Sequence, residues 1–477
     1  MNMAALSERK EGKTLEFKRD LTSPRNLLKT LVAFANTAGG QMIIGVDDKT
    51  RLPVGVANPL DEEERLCSLI ADTIRPRLVP NVEMITVEDK TLLVVEVFPS
   101  GSRPHWLKAE GPEKGVYVRL GSTNRQADME LIAELHRSAD GVAFDELPMP
   151  GLLVDDLDLA ALKILFSDQR DLGDNGLLTL RLLKNEQGRL VPTKGAVLLF
   201  GKARRKYFPD AWVQCGRFLG RDKAEIFDHI ELHDHLPQAV DSIMLFLKKH
   251  AMRGADFSEI RRKDVWSIPL GILREAVINA LVHTDYSQRG APIRIAFFDD
   301  RIEIENPGIL LPGMTIDDMR QGVSKIRNHV IARVFRELNL IEQWGSGIPR
   351  IFREAKDLGL PELQIVEIGM RLRLTVFLAE QITIQKETEQ VTEQVTEQVR
   401  RILDCLKNEP LGARDAMQSL GLRHRPTFLY AYLQPTMDAG LVEMTQPESP
   451  KSPTQKYRLT AKGKAVIAGG DSSESGK

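Results

Sequence analysis

The sequence has few cysteines and no long apolar run. Its three cysteines, Cys67, Cys215 and Cys405, lie far apart and form no Cys-x-x-Cys pair. This spacing argues against both a disulfide framework and a zinc cluster. No run of about 18 apolar residues occurs, and the opening residues MNMAALSERKEGK lack the apolar core of a signal peptide. The sequence therefore predicts a cytoplasmic protein that does not span a membrane.

Two further absences narrow the possible functions. The chain contains no Gly-x-x-x-x-Gly-Lys-[Ser/Thr] sequence, which excludes P-loop helicases and AAA motors. Its net charge is only −2, so the whole protein has no general attraction to nucleic acid and any such binding must depend on local patches. With 477 residues, 42% of them hydrophobic and 28% charged, the chain is expected to form two or three globular domains.

The stretch Gly271–Tyr286 combines an apolar surface with a polar stripe. In a helix, Glu275, Asn279 and His283 follow one another every four residues and share one face. The remaining surface is mostly apolar, so we expect a largely buried helix whose polar stripe needs partners. A carboxylate and an amide oxygen one turn apart can hold a water and a hard cation. The alternative is a polar pair that is satisfied within the core.

The elements after this helix favour the first interpretation. Residues 294–298 and 301–306 alternate around Asp299-Asp300 as a hairpin does, and two glycine turns follow, at Asn306-Pro307-Gly308 and Gly345-Ser346-Gly347. This order resembles the GHKL nucleotide-binding fold. The resemblance implies that ATP binds with Mg²⁺, that Glu275 is the catalytic base and that Asn279 holds the metal. It assigns the nucleotide contacts to Asn306, Gly308, Lys325, Arg327, Gly345 and Gly347.

The first glycine turn differs from the family pattern. GHKL proteins carry an Asp-x-Gly-x-Gly sequence whose Asp reads the adenine amino group, and this chain has Glu305-Asn306-Pro307-Gly308 instead. Adenine selectivity therefore stays open. The alternative to ATP binding is a site that binds no nucleotide and has only a structural role.

The N-terminal region, residues 1–140, carries a second set of motifs. A helix is expected from Pro24 to Gly39-Gly40, followed by a buried strand over Met42–Val46 and further strands near Val82–Val87, Leu92–Phe98 and Val116–Leu120. The sequences EGKTLEFK at 11–18, FANTAGG at 34–40 and IIGVDD at 43–48 occur in this order. Together they resemble the AlbA-like domain of the Schlafen proteins, which implies contact with nucleic acid. Basic residues along this region, among them Lys18, are candidate contacts, and a solvated surface is the alternative.

The same resemblance suggests a second activity. In its ribonuclease members three acidic residues bind a metal ion and cut RNA, and the matching positions are Glu11, Glu16 and Asp47, with Asp48 as the alternative third ligand. Clustered carboxylates suit Mg²⁺ or Mn²⁺ and can activate water beside a phosphate. The alternatives are a domain that binds nucleic acid without cutting it and a half-exposed strand with a solvated face.

Residues 150–380 are expected to form the nucleotide-binding α/β sandwich, after a loop-like boundary at Ser138–Pro150. The sequence predicts a helix near Leu157–Phe166, a buried strand over Ala196–Phe200, a strand near Val213–Phe218 and a helix around Ala239–His250. Its three clustered histidines lack acidic or cysteine partners at metal spacing.

The C-terminal residues 400–468 are predicted to form a winged helix-turn-helix. Helices at Arg400–Lys407, Ala413–Leu420 and Pro426–Ala439 precede strands at Leu441–Met444 and Lys456–Leu459. Eleven Lys and Arg against six Asp and Glu between Arg400 and Lys464 give this part a charge of +5. The predicted contacts to nucleic acid are Arg423, Arg425 and Tyr430. A winged helix that binds protein is the alternative.

Two short segments flank this domain. The TEQV repeat within residues 381–399 predicts a helical connector and a dimer contact, so we expect a homo-oligomer. Residues 469–477 are polar and are expected to be disordered. The complete sequence thus predicts an α/β multidomain protein that acts as a cytoplasmic, ATP-responsive regulator binding DNA or RNA, with a role in transcription. The alternative is a metal-dependent Schlafen-type ribonuclease acting in phage defence.

Overall fold

The computed structural model describes residues 10–48, 50–166, 172–251, 253–256, 263–341, 347–379, 397–422, 428–448 and 454–470. The chain divides into two units, Met1–Ile384 and Gln385–Lys477. The first unit contains an N-terminal region and a central region with separate sheets. Within the described ranges, no helix combines the length and the hydropathy that crossing a bilayer requires.

The N-terminal region is built around a four-stranded sheet with the order β1-β2-β5-β4. Pro24 occupies the first turn of α1, where its missing N–H costs nothing, and the chain leaves this helix through Gly39 at φ +77°. The β4–β5 turn places Glu88 and Asp89 at positive φ, as a tight hairpin requires. Strands β1–β8 span Leu15–Lys18, Gly40–Ile44, Ile74–Arg75, Asn81–Val87, Lys90–Val97, Trp106–Leu107, Tyr117–Leu120 and Thr123–Gln126, and helices α1–α4 span Pro24–Asn36, Pro59–Thr73, Gly111–Lys114 and Met129–Ala139.

The central region is organised by a six-stranded sheet with the order β12-β11-β15-β16-β18-β17. The predicted hairpin is present, with Arg294 opposite Glu305 and Phe297 opposite Ile302. Strands β9–β18 span Leu183–Glu186, Arg189–Pro192, Val213–Phe218, Ile226–Leu232, Arg253–Asp256, Lys263–Trp266, Ile293–Phe297, Arg301–Pro307, Gln364–Ile368 and Arg371–Phe377, and helices α5–α13 span Leu159–Phe166, Asp174–Thr179, Lys194–Phe200, Arg204–Tyr207, Leu236–His250, Leu270–His283, Ile316–Arg320, His329–Glu337 and Gly347–Asp357.

The strand predicted over Ala196–Phe200 is wrong, because these residues belong to helix α7. All side chains from Ala196 to Phe200 are buried. A short, fully buried apolar run has no alternation that would distinguish a strand from a helix. The local signal for a helix is Thr193, whose hydroxyl accepts a hydrogen bond from the Ala196 N–H at 3.2 Å and caps the first turn.

The predicted boundary at Ser138–Pro150 contains one packed stretch. A short 3₁₀ helix spans Phe144–Glu146, and its Asp145 is completely buried. Asp145 accepts hydrogen bonds from the N–H groups of Val330 at 2.7 Å and Ile331 at 2.9 Å, at the start of α12. Desolvation raises the pKa of this carboxyl group to about 7. The 3₁₀ helix is therefore anchored to the central region, whereas Gly141, Val142 and Pro150 are exposed.

The C-terminal unit contains a three-stranded sheet with the order β19-β21-β20 over its own hydrophobic core. The predicted third helix is divided into a π-helical turn over Phe428–Leu433 and a separate α16 with Pro435 in its first turn. Pro435 has no N–H to continue the earlier helix, which explains the division. Helices α14–α17 span Glu397–Cys405, Ala413–Ser419, Gln434–Asp438 and Ala461–Gly470, and strands β19–β21 span Leu411–Gly412, Val442–Met444 and Lys456–Leu459.

Several predicted segments of this unit lie partly outside the described residues. The TEQV connector is described only from Glu397, where α14 begins, and the predicted polar tail only at positions 469 and 470, where α17 ends. The strand β19 and helix α17 were not predicted. The winged-helix assignment and the DNA binding inferred from it stay predictions.

Replacing Arg119 is expected to destabilise the N-terminal region. Its side chain is fully buried, donates to Asn124 at 3.0 Å and pairs with Glu16, whose side chain is only 10% exposed. Arg119→Ala would leave the buried Glu16 with Lys18 as its remaining cation. Breaking a buried ion pair leaves one charge buried without its partner. We therefore expect a loss of about 3 kcal/mol in the free energy of unfolding, measured by urea denaturation. The exposed Arg125 on β8 is the control, and equal effects of Arg119→Ala and Arg125→Ala would contradict the structural role of the pair.

Candidate functional site

Helix α10 carries the predicted polar stripe. The Asn279 side-chain NH₂ donates to the Glu275 backbone carbonyl at 2.9 Å and to its Oε1 atom at 3.1 Å. Arg350, on α13, donates to Oε2 of Glu275 at 2.8 Å. Burial lowers the pKa of His283 to about 4, so its imidazole is neutral at physiological pH. The stripe is thus a carboxylate, an amide and a neutral imidazole on one face.

This face borders a cavity of about 440 Å³. The volume falls within the range of ligand pockets in proteins. The cavity brings together the sequence-predicted nucleotide residues that the structure describes: Glu275, Asn279, Asn306, Gly308, Lys325, Arg327 and Gly347. Gly345 lies outside the described residues. Glu275 and Asn279 also form a satisfied polar pair, as the alternative interpretation expected, but this pair lines the cavity.

Both described glycines of the two turns are required by close packing. Gly308 has φ +106°, and a Cβ atom there would lie 3.0 Å from the Asp285 Cβ and 3.2 Å from the Arg327 Cζ. At Gly347 a Cβ atom would overlap the Glu275 carboxylate. The absence of a side chain at Gly347 thus allows the start of α13 to approach Glu275 directly.

The cavity is strongly cationic. Among the described residues that line it are four cations, Lys325, Arg327, Arg336 and Arg350, and one carboxylate, Glu275. Because Arg327 is also paired with Glu134, four positive charges against two negative charges leave a surplus of +2. Such a concave, low-dielectric site attracts polyanions. The arrangement can therefore hold a phosphorylated ligand whose charge exceeds that of a monoanion.

These four cations differ in their hydrogen-bond partners. Lys325 donates to the Pro312 carbonyl at 2.7 Å, Arg327 binds Glu134 and the Ile309 carbonyl, and Arg350 binds Glu275. The Nε atom of Arg336 is buried and has no hydrogen-bond partner among the described residues. Sequence reasoning missed Arg336 and Arg350. Arg350 lies in the first turn of the helix that follows the second glycine turn, and that position was the available signal.

Apart from Glu275, no acidic residue lines the cavity in the part of the chain that the structure describes, so none replaces the adenine-reading Asp of the GHKL pattern. Asp285 is buried next to Gly308, but it accepts hydrogen bonds from Ser287 and Gln288 and lines a separate cavity of about 260 Å³. Asn306 lines the cationic cavity and donates to the Pro307 carbonyl at 3.1 Å. Asn306 is therefore the polar side chain that the first turn presents to a ligand.

The three acidic residues of the N-terminal motif are held by different partners. Glu11 accepts the Phe17 N–H at 2.9 Å, Glu16 binds Arg119 and Lys18, and Asp47 pairs with Arg19 at 2.9 Å. In the described part of the chain, no group of three or more His, Cys, Asp or Glu residues has an arrangement that could hold a metal ion. The structure therefore does not bring the predicted metal ligands together.

The predicted nucleic-acid contacts are described only in part. Lys18 is 25% exposed and its ammonium group lies 2.5 Å from the Glu16 carboxylate. Arg423 and Arg425 lie outside the described residues, and Tyr430 belongs to the π-helical turn Phe428–Leu433. Two exposed cations of the N-terminal region, Arg19 and Arg25, pair with Asp47 and Glu110.

Three family models match successive parts of the chain. "Schlafen, AlbA_2" matches residues 11–128, HATPase_c_4, described as "Putative ATP-dependent DNA helicase recG C-terminal", matches residues 290–376, and "Filamentation induced by cAMP protein Fic-like, C-terminal domain" matches residues 397–460. The second match includes both glycine turns and begins after helix α10. The third gives the C-terminal domain a Fic-like relationship, and the winged-helix assignment is not confirmed by it.

Solved structures give weaker likenesses. The DIP2311 protein from Corynebacterium diphtheriae is 18% identical, with 96% of this chain and 94% of that chain covered and a TM-score of 0.42. The N-terminal domain of a "Putative ATP-dependent DNA Helicase RecG-related Protein" from Nitrosomonas europaea is 30% identical over 27% of this chain and 91% of that one, with a TM-score of 0.22. A Fic family protein from Desulfovibrio desulfuricans G20 is 17% identical over 70% and 77%, with a TM-score of 0.14. No curated protein matches.

The contact between Gly347 and Glu275 can be tested with a double-mutant cycle. Gly347→Ala would push the Glu275 carboxylate away from Asn279 and Arg350, and overpacking of this kind costs about 1–3 kcal/mol. In a Glu275→Ala background the added methyl group meets no carboxylate, so the cost should disappear. Urea denaturation measures both differences. Gly151→Ala, where a Cβ atom meets nothing within 4 Å, is the control, and an equal cost in both backgrounds would refute the contact.

Proposed function

Because the chain joins a Schlafen AlbA_2 domain, an ATPase-like region and a Fic-like C-terminal domain, we propose that it is an ATP-responsive regulator that binds nucleic acid and acts in transcription. The observation that carries this proposal is the cationic cavity of about 440 Å³ beside Glu275 and Asn279. A nucleoside triphosphate matches its size and its charge of opposite sign. The ATPase-like family match supports ATP as the nucleotide.

The residues of α10 fit a magnesium ion. With its NH₂ group directed at Glu275, Asn279 offers its amide oxygen as a hard ligand. Bound Mg²⁺ would neutralise part of the phosphate charge. Glu275 would orient water as a general base, and Arg350 holds its carboxylate in position at 2.8 Å. Glu275 is thus proposed as the residue required for hydrolysis, and Asn279 as a residue required for binding.

The cations that line the cavity are the candidates for binding the phosphates. Arg336 is a candidate for phosphate contact because it is one of the cations that line the cavity. Lys325 and Arg350 are near enough to line the same cavity. Glu275 is paired with Arg350, and no other carboxylate among the described lining residues could bind the nucleobase. We therefore assign recognition of the nucleobase to Asn306, because a side-chain amide can both donate and accept hydrogen bonds.

Nucleic-acid binding is proposed for two places. In the N-terminal region the proposal is supported by the Schlafen AlbA_2 match over residues 11–128. The C-terminal residues Arg400–Lys464 carry a local charge of +5 from eleven basic and six acidic residues. A helicase motor is not part of the proposal, because the chain lacks a P-loop sequence.

The ribonuclease hypothesis stays a prediction. The carboxylates of Glu16 and Asp47 are occupied by Arg119, Lys18 and Arg19, so a metal ion would have to displace these cations before it could bind. No observation within the described residues favours cleavage over binding. Incubation with RNA and Mn²⁺ distinguishes the two, since a binding domain leaves the RNA intact.

Asn279→Ala is expected to weaken the Mg²⁺-dependent part of ATP binding, because it removes the proposed metal ligand. Glu275→Gln should still bind ATP and lose any hydrolysis, since only the base is lost. Calorimetry with and without Mg²⁺ measures the first effect, and phosphate release measures the second. Asn26→Ala, the same change on the exposed face of α1, is the control.

Equal Mg²⁺-dependent affinities for wild type and Asn279→Ala would overturn the role of Asn279. A wild-type protein that binds no nucleotide at all would show that the cavity has only a structural role, and the altered first glycine turn would be the cause.

Replacing Arg423 and Arg425 by Ala is expected to lower the affinity for duplex DNA. Each lost phosphate contact should also reduce the slope of log K against log salt by about 0.9. Fluorescence anisotropy over a salt series measures both quantities. Ala at Arg189 and Arg221, both in the central region, removes the same charge and serves as the control. If the two double variants bind duplex DNA with the same affinity and the same salt dependence, the C-terminal domain is not the DNA-binding domain.

A further inference from the structure

One wall of the cationic cavity is held by the N-terminal region. This wall, the segment Gly308–Met314, includes four residues that line the cavity besides Gly308, namely Ile309, Leu310, Leu311 and Met314. The Gly313 N–H donates to the carbonyl of Thr37, directly after α1, at 2.8 Å. Ile309 belongs to the same hydrophobic cluster as Leu131 and Leu135 of α4. The wall is therefore packed against two helices of the other region.

An ion pair continues this attachment. Glu367, on β17, accepts the Leu310 N–H at 2.8 Å and the ammonium group of Lys13 at 2.7 Å. Both partners of this pair are largely buried, with side-chain exposures of 12% and 4%. Lys13 lies within the motif EGKTLEFK, next to Gly12, whose carbonyl accepts from Arg119 at 3.1 Å. The wall is thus linked through Lys13 to the N-terminal acidic motif.

The strongest link is Arg327. Arg327 is one of the residues that line the cavity, and its guanidinium donates to the Glu134 carboxylate of α4 and to the Ile309 carbonyl of the wall. Burial lowers the pKa of Arg327 to about 10, so it is still charged at neutral pH. The second carboxylate oxygen of Glu134 is buried and has no hydrogen-bond partner among the described residues. Glu134 therefore depends on this one cation for its compensation.

We infer that Glu134 is a positioning residue of the nucleotide site and that it competes with nucleotide phosphate for Arg327. The inference rests on the proposed function, since it requires a phosphorylated ligand in the cavity. A polyanion that draws Arg327 towards the cavity weakens its bond to Glu134 and loosens the wall from α4. Conversely, a firm Arg327–Glu134 pair lowers nucleotide affinity. Because binding free energies are reciprocal, whatever tightens α4 against the wall must weaken nucleotide binding by the same factor.

Glu134→Gln tests the competition. The amide retains an oxygen that can accept from Arg327 but removes the negative charge, so Arg327 becomes more available to phosphate. In the full-length protein we expect Mg²⁺·AMP-PNP to bind about fivefold more tightly or better, by calorimetry. Adenosine, which has no phosphate, should bind with unchanged affinity. Glu130→Gln, the same change at an exposed position of α4, should leave both affinities unchanged.

A second measurement follows α4 itself. Hydrogen exchange of the α4 amides, Met129–Ala139, should become faster when wild type binds AMP-PNP, because the helix loses its contact to the wall. In Glu134→Gln exchange should already be fast without nucleotide. If this variant does not fold, Glu134→Asp shortens the side chain by one methylene and is expected to change affinity and exchange in the same directions.

The outcomes separate this inference from the proposed function. Wild type that binds no triphosphate overturns the proposed function itself. Triphosphate binding with equal affinity in wild type and Glu134→Gln overturns the inference alone. Equal tightening for triphosphate and adenosine would mean a general loosening of the wall and would also overturn it, as would slower α4 exchange on nucleotide binding.

Discussion

Compensation of buried charge is the constraint on which the first unit depends. Arg119 and Arg217 are fully buried, and each is held by a carboxylate, Glu16 and Asp299 respectively. An unpaired charge in such an environment is costly, so each pair fixes the relative position of the strands and loops that carry it. Arg327 and Glu134 apply the same constraint between the N-terminal and central regions. The fold is thus specified by charge pairing as well as by its apolar cores.

In the cationic cavity the positive charges are only partly compensated by carboxylates of the protein. Lys325 and Arg350 have partners in the central region, and Arg336 adds a further positive charge to the lining. A site with surplus positive charge is stabilised by an anion from outside. The cavity therefore has an electrostatic reason to bind a ligand, which an ordinary gap in packing does not have.

Local patterns in the sequence predicted the elements but not the long-range pairs. The polar stripe of α10, the hairpin β15–β16 and the motifs around α1 were correctly placed, because each depends on spacing within a short segment. The helix at Ala196–Phe200 was missed since a buried run has no periodicity. Arg327 and Glu134 are 193 residues apart, and nothing in a single sequence relates two such positions. The roles of Arg336 and Glu367 were hidden for the same reason.

The packing of Ile309 into the cluster around Leu131 has a consequence for dividing the chain. The Schlafen AlbA_2 match ends at residue 128, one residue before α4 begins at Met129. A fragment cut after α4 would expose the apolar patch that Ile309 covers, and a fragment cut before it would remove Leu131 and Leu135 from their own core. The family match therefore ends within the stretch that supplies the hydrophobic cluster between the N-terminal and central regions, and the unit Met1–Ile384 contains both sides of that cluster.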